Sequence, residues 1–296
     1  MQAIFLLLTL NFFLQTPSKS VYENLLHNHY IPNKFAYLSD IDDTIVQDIR
    51  YAKNYNILGQ PLDGYNAPEC ILTVEAAKKL SLVQKEAKEF ATYANAFLTL
   101  RVFDCYRPKV ANEQIFYRLI QKKAHYRKLN FYPNFNEVDI INFGFVELNN
   151  PHSRGSTVSV TLSKNILIPL YKGNEEFKIA NCIGEYDNRY MFDFGLDMGT
   201  NYDCLDEKSF PNATTTYLQQ TNRKLLKILM ENHGFVSTSK LNWWEFTLKQ
   251  EPFNETQFNF PISPKFKKEE PGFCYINIPI LDLTETFEEI AKKILF

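Results

Sequence analysis

The stretch "PHSRGSTVSVTL" (151–162) holds one of the five histidines of the chain and combines residue types that metal hydrolases use. His152 lies in a Ser-Arg-Gly loop that runs directly into a β-branched strand. Catalytic zinc takes three protein ligands, commonly histidines and carboxylates, and a loop followed by a strand can supply two of them. The strand offers the hydroxyl of Ser159 where a carboxylate would be needed. The motif therefore predicts half of a metal site.

The elements that must position this loop mix helix and strand without a regular repeat. Apolar residues at helical spacing predict helices, and alternation of apolar and polar residues predicts strands. The predicted helices span 73–94, 112–129 and 221–235, the last ended by Gly234. The predicted strands span 44–52, 96–106 and 156–162, with shorter pieces at 242–248 and 258–262 and a turn-rich connection at 56–65. This mixture favours an α+β fold over a doubly wound sheet.

Composition and charge narrow the class of protein. The 296 residues are 45% hydrophobic and 22% charged, which is ample for a globular core. The formal net charge is -2, so the chain offers no overall attraction for nucleic acid or an anionic membrane. The basic runs at 121–128 and 265–268 are typical of solvated faces. We therefore expect no nucleic-acid partner.

The first twenty residues differ from the rest. An apolar run of about a dozen residues precedes small residues at Ser18 and Ser20, which is typical of a secretory signal. The sequence thus predicts a signal peptide at 1–20 and an exported protein, periplasmic or secreted, with an uncleaved membrane anchor as the alternative. No other stretch is long and apolar enough for a transmembrane helix, so we expect no span in the mature chain.

The last part of the chain also changes character. From Ser263 a charged, proline-containing linker leads to "TETFEEIAKKILF", which has the pattern of an amphipathic helix. The predicted organisation is a domain at 21–262 and a linker with a terminal helix at 263–296. This extension could bind the domain or a partner.

The cysteines leave their pairing open. Five is an odd number, none forms a C-x-x-C pair, and the spacing fits no structural zinc site. One or two disulfides are compatible with an exported protein. The cysteines are Cys70, Cys105, Cys182, Cys204 and Cys274.

Several stretches, in unbroken order over about residues 35–262, resemble the VanX-type D-alanyl-D-alanine dipeptidases. They read "DIRYAKNYNILGQPLDGY", "FDCYRPKVAN", "HSRGSTVSVTL", "DMGTNYDCLDEKSF", "NRKLLKILMENHGF" and "NWWEFTLKQEPFNETQFNFPI". The resemblance implies a single α+β domain with a central, largely antiparallel sheet flanked by helices, and a cleft that holds one zinc ion. It also implies the family reaction, which is cleavage of the free cell-wall dipeptide D-Ala-D-Ala.

Five positions of this chain match the functional positions of that family. The family pattern H-x-x-G-x-A-x-D supplies two zinc ligands, E-W-W-H supplies the general base and the third ligand, and Y-R-P supplies an oxyanion donor. By this resemblance His152 is the first zinc ligand and Arg107 is the oxyanion donor. Ser159 stands at the Asp ligand position, Glu245 at the third ligand position, and Asn242 at the position of the general base.

Three of these positions carry a replacement with a chemical consequence. Ser159 presents a neutral hydroxyl, which is a poor zinc ligand, whereas the Glu245 carboxylate can still ligate zinc. The amide of Asn242 does not titrate in the useful range, so it cannot serve as the general base. The sequence therefore predicts a D-Ala-D-Ala dipeptidase homologue that is catalytically impaired or inactive.

Two alternatives differ in what the cleft does. In the first, the chain is an active metallo-dipeptidase whose rearranged metal site uses His152 and Glu245. In the second, it is a non-enzymatic exported protein that acts through the cleft or through 263–296. The expected partner in the cleft is a small D-amino-acid dipeptide or a cell-wall peptide.

Other polar and aromatic groups near these motifs are interpreted as scaffold. His125 and His233 are expected at the surface, and Trp243 and Trp244 in the core beside the cleft. The acidic residues between 193 and 207 are also assigned to the scaffold, namely Asp193, Asp197, Asp203, Asp206 and Glu207.

Overall fold

A five-stranded sheet carries most of the residues singled out above. The computed structural model describes residues 31–94, 96–164, 181–185 and 194–265. Within them the strands are β1 (Phe35–Tyr37), β2 (Val46–Gln47), β3 (Ile71–Thr73), β4 (Thr99–Asp104), β5 (Thr157–Ser163), β6 (Phe235–Ser237) and β7 (Glu245–Leu248). The large sheet has the order β2-β4-β5-β7-β6, and β1 pairs with β3 separately. Among the described strands of this sheet, β2 and β4 alone run parallel, which confirms the predicted, largely antiparallel sheet.

Helices flank this sheet, as an α+β domain requires. They are α1 (Leu38–Ile41), α2 (Val74–Tyr93), α3 (Lys109–Ile120), α4 (Lys128–Phe131), α5 (Glu137–Asn142) and α6 (Tyr217–Asn232). Short 3-10 turns lie at Arg50–Ala52, His125–Arg127, Pro151–Arg154 and Glu207–Ser209. The described residues up to Pro264 belong to one compact unit. In the described ranges no helix combines the length and apolarity that a bilayer crossing needs.

The two long helices begin where the sequence places a cap. At α2 the Thr73 side chain accepts from the Ala76 N–H at 3.3 Å, which satisfies one of the free amides of the first turn. At α6 the Thr216 hydroxyl and the Gln219 side chain form a reciprocal capping box. This box starts α6 four residues before the predicted 221. Gly234 follows α6 with φ of +89°, as expected of the residue that ends a helix.

Two predicted strands are wrong in extent. Within 44–52 only Val46–Gln47 pair, because the chain turns where Arg50 Nε and Lys53 Nζ each bind the buried Asp48 carboxylate at 2.9 Å. The piece at 258–262 forms no strand and contributes only an isolated bridge from Ile262 to Tyr65. Ion pairing and long-range packing therefore override the local pattern in both places.

The predicted helix at 112–129 is also shorter than its pattern. Helix α3 ends at Ile120, and Lys122 takes a left-handed φ of 53°, which a continuing helix does not tolerate. The predicted signal peptide and terminal helix lie outside the described residues, and so does Cys274.

Two disulfides connect the remaining cysteines. Cys70 is bonded to Cys105, and Cys182 to Cys204. The first bond joins the residue before β3 to the residue after β4, so it fixes the chain directly after Asp104. The Cys105 carbonyl lies in the site described next.

Candidate functional site

The centre of the large sheet aligns three polar side chains from three different strands. Asp104 on β4 is opposite Ser159 on β5, and Ser159 is opposite Glu245 on β7. A bulge between Val102 and Asp104 shifts the register of β4 at this point. Bulges re-aim side chains in this way near functional sites. Polar residues far apart in sequence thus lie side by side.

Ser159 and Glu245 line an inner cavity of about 40 Å³, and a wider groove of about 360 Å³ shares Asn242 and Glu245 with it. Four of the five sequence-predicted positions line the cavity directly, and His152 lies behind Ser159. The structure therefore brings all five positions together. The polar residues that line the cavity include Arg107, Ser159, Asp203, Asn242 and Glu245, beside Tyr51.

His152 is fully buried and held in a defined orientation. Its Nδ1 donates to the Cys105 carbonyl at 2.6 Å, and the Asp104 Oδ2 lies 3.3 Å from the same nitrogen. A proton on Nδ1 leaves the Nε2 lone pair free in the neutral ring. Nε2 lies 3.2 Å from the Ser159 Oγ and 3.6 Å from the Glu245 Oε2. The ring therefore presents an acceptor toward the cavity side of the sheet.

The loop before β5 explains this orientation. The Asn150 side chain accepts from the His152 N–H at 3.0 Å and caps the turn that carries the histidine. Gly155 ends that turn with φ of +83°, and a Cβ there would lie 2.2 Å from the Phe35 ring. Both conformation and space require glycine at this position. The Ser-Arg-Gly loop that precedes the strand is therefore a tight turn closed by a glycine.

The donor set at this position does not fit the zinc ion that the resemblance implies. The distances from Nε2 to Oγ (3.2 Å) and to Oε2 (3.6 Å) are close to the roughly 3.3 Å edge of a zinc tetrahedron. Their chemistry is the difficulty, because His152 and Glu245 are the only strong donors and Ser159 is neutral. In the part of the chain that the structure describes, no three His, Cys, Asp or Glu side chains are grouped to hold a metal. We therefore derive no catalytic step through zinc.

Arg107 is a fixed cation on the cavity wall. Its Nε and Nη2 donate to the Asp104 Oδ2 at 2.9 and 2.7 Å, and its Nη1 donates to the Asn112 Oδ1 at 3.2 Å. These bonds use three of its five N–H groups. The guanidinium also lies 4.6 Å from the Tyr51 ring centroid. Burial alone would lower the pKa of Arg107, but Asp104 raises it well above its usual value, so the cation is permanent.

Asn242 has a local structural role at the base position. Its Nδ2 donates to the Ser239 Oγ at 3.0 Å, and its Oδ1 accepts from the Glu245 N–H at 3.0 Å. Both ends of the amide are therefore engaged in holding the turn that leads into β7. Asn242 thus positions Glu245, but its amide cannot take a proton from water.

The Glu245 carboxylate is ionised in this setting. Burial by itself would raise the pKa of Glu245, but its contact with His152 and the charges of Arg107 and Arg154 lower it below its usual value. Glu245 therefore adds a negative charge beside the imidazole.

Asp203 is the cavity residue that sequence reasoning assigned to the scaffold. Its backbone is left-handed, with φ of 63°, and its Oδ1 accepts from the Tyr51 hydroxyl at 3.2 Å. Its Oδ2 is buried and has no hydrogen-bond partner among the described residues. Burial raises the pKa of Asp203 to about 7, although Arg107 and Tyr51 favour its ionised form. No local pattern of residues identifies Asp203 as a cavity residue, because its position depends on a loop with a left-handed backbone. The resemblance of the stretch around it to the family was the one available signal.

The other scaffold residues lie as expected. His125 is exposed and contacts Glu137, and His233 contacts Glu86 away from the cavity. Trp243 and Trp244 are buried, and Trp244 lines the cavity. Asp197 and Asp206 cap backbone amides, with bonds from the N–H groups of Gly199 and Lys208. Asp193 lies outside the described residues.

Comparison with known proteins agrees with the geometry. A family model described as D-ala-D-ala dipeptidase matches residues 32–175 and 193–263. The chain is 31% identical to a D-alanyl-D-alanine dipeptidase of Enterococcus faecium over 231 residues, or 77% of this chain and 98% of that enzyme. It is 31% identical over 234 residues to that of Enterococcus faecalis, covering 78% and 99% of the two chains. It is 29% identical over 231 residues to that of Streptomyces coelicolor, covering 77% and 98%. The chain belongs to the D-alanyl-D-alanine dipeptidase family.

Proposed function

We propose that this protein binds a dipeptide of the D-alanyl-D-alanine type in the cavity and is impaired in zinc-dependent hydrolysis of it. The observation that carries this proposal is the combination of a permanent cation and a carboxylate with one unpartnered oxygen, both lining the cavity, with an incomplete metal donor set. Binding groups are retained, whereas hydrolytic groups are replaced.

The cavity offers one group that can bind the α-ammonium group of a dipeptide and another that can bind its peptide carbonyl. The free Oδ2 of Asp203 can accept a hydrogen bond from the α-ammonium group, which supplies the partner that this buried oxygen lacks. The N–H groups of Arg107 that Asp104 and Asn112 leave unused can donate to the peptide carbonyl. The small inner volume favours methyl side chains, and the wider groove leaves room for the remainder of a cell-wall peptide.

Impairment follows from the two positions that zinc hydrolysis cannot spare. Ser159 removes one charged ligand, which weakens the metal that would activate water. Asn242 removes the general base, a change worth roughly 10²–10⁴ in rate. Glu245 alone does not compensate, because its carboxylate stands where the third ligand belongs.

Dipeptide binding should weaken as the pH falls below about 7. Asp203 must be ionised to accept the ammonium group, and burial raises the pKa of Asp203 to about 7. Below that pH the neutral form dominates, so the association constant should fall about tenfold per pH unit. Isothermal titration calorimetry with D-Ala-D-Ala between pH 5 and 7.5 measures this slope.

Matched carboxyl variants separate this effect from general electrostatics. Asp203→Asn should weaken binding at pH 7.5 and remove the slope, while Glu147→Gln, at an exposed position on the cavity rim, should leave both nearly unchanged. Adding zinc should not accelerate hydrolysis of the dipeptide. Absence of binding at every pH contradicts the recognition part of the proposal. Stoichiometric zinc with zinc-dependent turnover contradicts the impairment and supports the rearranged metal site of His152 and Glu245.

We also infer that the protein is exported. The predicted signal at 1–20 supports this, and so do the disulfides Cys70–Cys105 and Cys182–Cys204, because such bonds persist in oxidising compartments. Mass spectrometry of the protein recovered outside the cytoplasm should give a mature N-terminus near Val21. An intact N-terminus in a membrane fraction supports the anchored alternative, and a reduced protein in the cytoplasm contradicts export.

A further inference from the structure

The serine at position 159 creates a chain of contacts from a hydroxyl to an imidazole and from the imidazole to a carboxylate. The Ser159 Oγ lies 3.2 Å from His152 Nε2, and His152 Nδ1 faces the Cys105 carbonyl and the Asp104 Oδ2. Nucleophilic catalysis by serine needs this order of groups: a hydroxyl, a base that accepts its proton, and an acceptor that orients the base. A zinc ligand set with two of its three members changed thus has, through Ser159, the connectivity of a serine nucleophile.

We propose that Ser159 is an acyl-accepting nucleophile, with His152 as its base, and that the cavity carries out metal-independent acyl transfer. For the substrate class this inference rests on the proposed dipeptide site, but the reactivity of Ser159 depends only on the contacts around it.

The tautomer of His152 is the one that the reaction requires. The short bond from Nδ1 to the Cys105 carbonyl assigns the proton to Nδ1, so Nε2 accepts from the Ser159 hydroxyl. When Nε2 takes the serine proton, the imidazolium lies between two carboxylates, Asp104 at 3.3 Å from Nδ1 and Glu245 at 3.6 Å from Nε2.

The remaining groups of the cavity fit the charges that develop on the substrate. As the Ser159 Oγ attacks the carbonyl carbon, a C–O bond forms and the carbonyl oxygen becomes an oxyanion. Arg107 lines the same cavity as Ser159 and is permanently charged, so it can stabilise this oxygen. Ser159 itself cannot recruit backbone donors easily, because β5 is hydrogen-bonded on both sides.

The full cycle balances without a metal or a redox partner. The serine proton passes to Nε2, the carbonyl C–N bond breaks, and Nε2 returns the proton to the leaving amine. Water then attacks the Ser159 ester, gives one proton to Nε2, and the C–O bond to Oγ breaks as Oγ takes that proton back. The products are those of peptide hydrolysis.

The test uses a small acyl donor, because the inner cavity is narrow. The purified protein is treated with p-nitrophenyl acetate in the presence of a chelator, and peptide mapping locates the acetyl group. We expect stoichiometric acetylation of Ser159, with a rate at least about 100-fold lower in His152→Gln, as expected for loss of a general base. Ser159→Ala should lose the adduct, and Ser159→Cys should restore it as a thioester.

Ser163 provides a control on the same strand. It is buried like Ser159, but it lies four residues further along β5, where its Oγ donates to the Phe194 carbonyl. Ser163→Ala should leave acetylation of Ser159 unchanged. The inference is overturned if Ser159 is acetylated no faster than Ser163. It is also overturned if the folded His152→Gln variant acetylates Ser159 at the rate of the parent. Dipeptide binding without acetylation leaves the proposed binding function standing, and acetylation without dipeptide binding refutes that function alone.

Discussion

The triple variant Ser159→Asp/Asn242→Glu/Glu245→His should bind one zinc ion and hydrolyse D-alanyl-D-alanine with zinc as an essential component. Positions 159 and 245 are directly opposite on β5 and β7, and both lie within 3.6 Å of His152 Nε2. The ligand edges therefore already have about the length that a zinc tetrahedron needs. The variant changes the donors and leaves the scaffold in place. Metal analysis and a hydrolysis assay measure the two outcomes.

A staged pair of variants assigns each gain to its cause. Ser159→Asp/Glu245→His should bind zinc but hydrolyse the dipeptide roughly 10²–10⁴-fold more slowly than the triple variant, because it lacks the general base. Asn242→Glu alone should bind no zinc. This separation matters because zinc affinity depends on ligands, whereas turnover also depends on the group that deprotonates water.

The change at 242 also has a structural cost. Asn242 holds the turn before β7 through Ser239 and the Glu245 N–H, and a longer glutamate side chain loses the amide donor that binds the Ser239 Oγ. The triple variant should therefore be less stable than the parent by about 1 kcal/mol, the usual contribution of one hydrogen bond. A folded triple variant that binds no zinc contradicts the placement of these positions around one metal site.

Local signals in the sequence were sufficient where a local interaction decides the structure. The helix from Val74 could be predicted because a threonine cap and helical spacing of apolar residues act within a few residues of one another. The strand predicted at 44–52 failed because the ion pairs of Asp48 are made by side chains that fold back on the strand. A pattern of apolar residues contains no information about such contacts.

The candidate site was predictable in its membership but not in its connections. The resemblance identified His152 and Ser159, yet their contact and the place of Asp104 depend on a bulge and on pairing between strands more than fifty residues apart in sequence. The position of Asp203 in the cavity could not be predicted for a different reason. Its left-handed backbone and its bond to Tyr51 arise only when distant segments meet.

Arg107→Met should lower the free energy of unfolding by about 3–5 kcal/mol, which is the cost of removing one partner of a buried ion pair. Arg107 and Asp104 are both buried, and two N–H groups of the guanidinium bind one carboxylate oxygen. Methionine preserves much of the side-chain volume, so the loss reports mainly the uncompensated charge of Asp104. Urea unfolding followed by circular dichroism measures the change.

A second arginine serves as the control. Arg154 pairs with Glu251 at 2.8 Å, but both side chains retain partial exposure of 19% and 11%. Water can solvate Glu251 after Arg154→Met, so this variant should lose clearly less stability than Arg107→Met. An equal loss in the two variants would indicate that packing of the arginine stem, and not the buried charge, is responsible.

The double variant Asp104→Asn/Arg107→Met tests the charge argument directly. Asparagine keeps an acceptor for the Tyr65 hydroxyl, which donates to Asp104 Oδ1 at 2.6 Å, but removes the negative charge. The double variant should therefore recover much of the stability lost in Arg107→Met, because no unpaired charge remains buried. It should still bind the dipeptide poorly, since the cation of the cavity wall is gone. If Arg107→Met alone were as stable as the parent, the buried charge of Asp104 would not depend on Arg107 for compensation, and the argument from an unpaired buried charge would be wrong.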